Sequence, residues 1–94
     1  MNTQILKYLR IYSNYSQSFL AFKLNSDVTT INNIESNVID GLDMDEYLIK
    51  YSKLFNMDLK GLTIFCYAEK GLIKHLVNFI LWMLEQYPKE IVDN

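Results

Sequence analysis

A chain of 94 residues is the size of one small domain, and with half of it hydrophobic it is too apolar for intrinsic disorder. Nine basic residues against eleven acidic ones leave a net charge of -2, which argues against a dedicated nucleic-acid binder. A single cysteine, Cys66, and a single histidine, His75, exclude an internal disulfide, a zinc cluster and any device that needs two imidazoles.

The start, Met1-Asn2-Thr3-Gln4, lacks the charged and apolar regions of a signal peptide, so a cytoplasmic location is expected. Ile5, Leu6, Leu9, Tyr12 and Tyr15 recur at helical spacing and predict a first amphipathic helix, which Ser13-Asn14 and Ser16-Gln17-Ser18 weaken. Phe19 to Leu24 reads either as an extension of that helix or as a short extended piece. From Asn25 to Asn37 the chain is polar, with Val28, Ile31 and Ile34 as its apolar anchors, and a long pinned loop with at most one helical turn is expected. Pro88 is the only proline, and Gly41, Gly61 and Gly71 are the only glycines. The glycines are expected to mark the helix boundaries.

The strongest periodic signal begins near Asp40. Met44, Tyr47, Leu48, Tyr51, Leu54 and Phe55 fall on one face over three turns. Asp40 is the expected N-cap, with Asp43 three residues on. Asp45 and Glu46 near the start, with Lys50 and Lys53 further along, suit the helix dipole at both ends. Leu62 to Ala68 predicts a third, short helix. A turn at Glu69-Lys70-Gly71 then leads into a last helix of about four turns that ends before Pro88. Its apolar run, Leu76 to Leu84, is far short of the roughly 20 residues a membrane span needs.

The run Asp40-Gly41-Leu42-Asp43-Met44-Asp45-Glu46-Tyr47, continued by Phe55-Asn56-Met57-Asp58-Leu59, resembles the acyl carrier protein family. In that family an Asp-Ser-Leu-Asp signature, a Glu three residues on and a Phe at the helix end fall at these offsets. The match is densest over 40–59. The serine that bears phosphopantetheine in the family falls on Gly41, which has no hydroxyl to carry it. A narrower group, small enterobacterial proteins predicted as acyl carriers, shows a similar Asp-Gly-x-Asp run. Its aromatic segment before a glycine turn is similar to Phe65-Cys66-Tyr67-Ala68-Glu69-Lys70-Gly71. The resemblance implies a single domain over 1–94 that folds as a small all-α four-helix bundle with carrier-like topology. It also implies that no phosphopantetheine is attached.

Residues 40–59 hold five acids and two bases, a net of -3, whereas the rest of the chain carries +1. The spacing of Asp40, Asp43, Asp45 and Glu46 does not fit a calcium loop, and no metal or other cofactor is expected. Cys66 sits between two aromatics and reads as a small core residue. His75 reads as a helix-surface or half-buried side chain, and no catalytic residue is expected. An acidic helix start instead suits a partner with a basic surface. Asp40, Asp43, Met44, Asp45 and Glu46 are therefore the expected partner-binding residues, in a protein-binding module without enzymatic activity. The concrete expectation is a bacterial immunity protein that neutralises a toxin domain. A carrier or regulator of acyl-chain metabolism is the alternative, and tyrosines of the Tyr8–Tyr15 face are further candidate interface anchors.

Overall fold

The computed structural model describes residues 1–67 and 73–86, the side chains of 73–75 excepted. Every regular element among them is helical. A 3-10 turn at Thr3–Ile5 leads into α1 (Leu6–Tyr12), followed by α2 (Gln17–Lys23), α3 (Val28–Glu35), α4 (Met44–Phe55), α5 (Leu59–Tyr67) and α6 (Ile73–Gln86). The all-helical bundle matches the expectation, although the chain is divided more finely than into four helices. The Glu69–Gly71 turn and Pro88 lie outside the described residues.

Asparagine, not glycine, ends the first four α-helices. Asn14, Asn25, Asn37 and Asn56 have φ of 63°, 53°, 60° and 52°, each just past the end of one of the first four α-helices. Asparagine tolerates this left-handed conformation better than other residues with a Cβ. Past each asparagine, the next N–H reaches back five residues to a carbonyl of the last turn. The four bonds are Tyr15 to Arg10 at 3.1 Å, Ser26 to Ala21 at 2.8 Å, Val38 to Asn33 at 2.8 Å and Met57 to Ser52 at 2.9 Å. This closure satisfies carbonyls that a helix end otherwise leaves without partners.

The same chemistry corrects two expectations between residues 16 and 37. Ser16 does not weaken a helix but starts one, its Oγ accepting the Phe19 N–H at 3.0 Å, so Phe19–Leu24 is neither an extension of α1 nor an extended piece. Asp27 caps α3 in the same way, accepting the Thr30 N–H at 2.8 Å. The expected long loop is therefore mostly helix. Its sparse apolar residues suffice because Ile31 and Ile34 are fully buried and only one face needs covering.

Asp43, not Asp40, caps α4, its carboxylate accepting the Glu46 N–H at 3.2 Å. Asp40 lies in a turn closed by the Leu42 N–H on the Ile39 carbonyl at 3.0 Å, with Gly41 at φ 80°. A helix cannot begin until the chain has left that turn, so α4 starts three residues after Gly41. Its expected face is correct: Met44, Leu48, Tyr51 and Phe55 are buried, with Tyr47 and Leu54 half-buried at its margins.

The core takes residues from every helix, among them Leu6 and Leu9, Leu20, Ile31 and Ile34, Leu48 and Phe55, Leu62 and Cys66, and Phe79 and Met83. Phe65 of α5 packs edge-on to Phe79 at 5.3 Å and against Trp82 at 5.1 Å, which joins α6 to the bundle. Among the described residues one ionic link lies inside. Arg10 forks onto Glu35, Nε to Oε2 at 2.7 Å and Nη2 to Oε1 at 3.0 Å, with Gln17 adding a third bond at 3.1 Å. The N-terminus is tied down through Thr3, whose hydroxyl donates to the Ile34 carbonyl at 2.6 Å and whose N–H donates to Asn37 Oδ1 at 3.1 Å.

Candidate functional site

The start of α4 stands beside an open cleft of about 320 Å³ lined by Met1, Ile39, Leu42, Asp43, Met44, Asp45 and Tyr67. Its lining mixes the apolar Met1, Ile39, Leu42 and Met44 with the acidic Asp43 and Asp45. Tyr67, at the end of α5, reaches across so that its hydroxyl donates to Asp45 Oδ1 at 3.5 Å, a long bond between exposed groups. Partial desolvation and the neighbouring Asp45 charge hold the Tyr67 phenol above its ordinary range.

Of the five expected partner-binding residues, the structure brings Asp43, Met44 and Asp45 together at this cleft. Asp40 is exposed on the preceding turn, and Glu46 is exposed on α4 with its carboxylate 3.6 Å from Lys50. Met44 is only 6% exposed, so it lines the cleft as a core residue that offers a partner little surface. Asp43 has a double duty, since the carboxylate that faces the cleft also caps the helix. Asp45 and Glu46 lie in the first turn of α4, where acidic side chains stabilise the helix through its dipole.

Sequence reasoning missed Met1, Ile39 and Tyr67 as members of the site. Tyr67 lies more than twenty residues from Asp45 in the chain, and only the packing of α5 against α4 places them together. Leu42 was legible as part of the Asp-Gly-Leu-Asp run but not as a cleft wall. Gly41 faces open space, with nothing within 4 Å of the position a Cβ would take, but its φ of 80° is strained for any residue with a side chain.

The other singled-out groups are elsewhere. Cys66 is fully buried in α5, and burial pushes its thiol up to about 12, so it is protonated and unreactive at neutral pH. The side chain of His75 lies outside the described residues. Tyr12 and Tyr15 pack against the core, and Tyr8 is 36% exposed, which leaves the Tyr8–Tyr15 face only partly open. No helix of the described residues is long and apolar enough to cross a membrane. Among the described residues, no group of three or more His, Cys, Asp and Glu side chains is placed to hold a metal ion. No family model, curated protein or solved structure matches the chain.

Proposed function

We propose that the chain is a cytoplasmic protein-binding module, concretely an immunity protein, that engages a basic surface of a toxin domain through the start of α4. The observation that carries this reading is the cleft itself. A lining in which Met1, Ile39 and Leu42 stand beside the acidic Asp43 and Asp45 is complementary to a lysine or arginine, whose stem is apolar and whose head is cationic. Asp40 and Glu46, exposed on either side, extend the negative field and would raise the encounter rate with a basic partner.

A working acyl carrier is the weaker reading. It needs a hydroxyl at the phosphopantetheine position, and Gly41 sits in a left-handed turn ahead of the helix start. Incubation with a phosphopantetheinyl transferase and coenzyme A should leave the intact mass unchanged; a gain equal to the arm would restore the carrier reading.

The test of the immunity reading is co-expression with the product of the adjacent reading frame. The parent protein should relieve the growth arrest that product causes. The Asp45→Lys, Glu46→Lys double variant should fold, since each lost dipole interaction is worth only about 0.3–1 kcal/mol. It should fail to protect and should bind more weakly. Equal protection and equal binding by the double variant across a salt series would overturn the proposal.

A further inference from the structure

A second cleft, of about 350 Å³, lies between the end of α2 and the last turns of α4, lined by Lys23, Leu24, Asn25, Lys50, Lys53 and Leu54. Three lysines from two helices line it, and no acidic residue is among its lining residues. Helix-dipole compensation accounts for Lys23 and Lys53, which lie in the last turns of their helices. It does not account for the apolar floor that Leu24 and the half-buried Leu54 provide.

The lysines are held by weak contacts. Lys23 Nζ lies 5.3 Å above the Phe19 ring, and Lys50 Nζ lies 5.1 Å from the Tyr47 ring centre and 3.6 Å from Glu46. Such exposed interactions are worth little and are readily exchanged for a better anion. Beside Lys23, Phe22 is 77% exposed and Phe19 42% exposed, so the basic rim continues into an aromatic surface.

We infer that this cleft is a docking site for a short acidic and apolar peptide segment of a partner protein. A carboxylate on each side of an aliphatic residue would meet the lysines while that residue fills the space over Leu24 and Leu54. A concave, apolar-floored site gives inorganic phosphate nothing beyond charge and suits a flat lipid surface poorly. The chain's net charge of -2 disfavours a long polyanion. The site lies at the opposite end of α4 from the acidic cleft and stands independently of the proposed function.

The test is titration of the whole protein with a short fluorescein-labelled peptide that alternates glutamate and leucine, read by anisotropy and by amide chemical shifts. Saturable binding is expected, with shifts confined to 23–25 and 50–54 and weaker binding at higher salt. The Lys23→Gln, Lys53→Gln double variant should bind about tenfold more weakly. Should that variant lose helicity, the single Lys53→Gln variant, which changes an exposed side chain, carries the same readout with a smaller loss. Four results would overturn the proposal. These are no saturable binding, unchanged binding by the folded variant, equal binding of a glutamate–serine peptide, and shifts centred on the acidic cleft. Low-salt self-association that the lysine variants abolish, without peptide binding, would do so too, because the acidic helix start of a second copy would then be the occupant.

Discussion

Glu35→Ala isolates the buried ionic link between Arg10 and Glu35. The Glu35 side chain is 3% exposed and that of Arg10 is 14% exposed. The substitution removes both carboxylate bonds to Arg10 and the bond from Gln17, leaving the guanidinium with only the Tyr15 carbonyl, which accepts from Nη1 at 2.9 Å. Breaking a buried pair from one side typically costs about 3–5 kcal/mol, and the residual exposure of Arg10 places this case near the lower end. A domain of this size has roughly 5–14 kcal/mol of total stability, so a loss of about 3 kcal/mol is a large share. The corresponding fall in Tm is about 12–24 °C. Urea denaturation followed by far-UV circular dichroism should show a lower midpoint with an unchanged slope. The Arg10→Met, Glu35→Leu double variant, which leaves no buried charge, should lose less than Glu35→Ala alone. A midpoint shift worth under about 1 kcal/mol for Glu35→Ala would refute the reasoning, because that is the value of a solvated surface pair.

Three further outcomes test the packing. A Cβ on Gly61 would stand 2.5 Å from Cζ2 of Trp82, so Gly61→Ala should destabilise by about 1–3 kcal/mol and red-shift or broaden the tryptophan emission as the ring is displaced. Tyr51 is fully buried and its hydroxyl has no hydrogen-bond partner among the described residues, so Tyr51→Phe should leave the urea midpoint unchanged or raise it by up to about 2 kcal/mol in stability. Burial raises the Cys66 thiol from 9.0 to about 12, which makes the folded state the stronger proton binder; stability should be constant in this respect below pH 9 and fall as the pH rises towards 12. A disulfide reagent should accordingly label Cys66 at the rate of unfolding, and the urea midpoint measured from pH 8 upward checks the sign.

The helical class and the buried face of α4 were legible in the chain by itself. Both follow from a periodic apolar pattern that any helix must present to a core, as Met44, Leu48, Tyr51 and Phe55 do. The ends of the first four α-helices were also written there, in asparagine instead of glycine. Asn14, Asn25, Asn37 and Asn56 carry a local signal, since the left-handed closure involves only the preceding turn. So do the Ser16 and Asp27 caps, which turn two weak stretches into α2 and α3. The acidity of the α4 start was a matter of counting. The cleft beside it was not, because Met1, Ile39 and Tyr67 reach Asp43 and Asp45 only through the packing of distant elements, and no local rule encodes such a meeting. Tertiary structure alone also paired Arg10 with Glu35 across 25 residues and gathered Lys23 with Lys50 and Lys53. Side chains that lie on different helices acquire a common chemistry only when the core sets the distance between those helices.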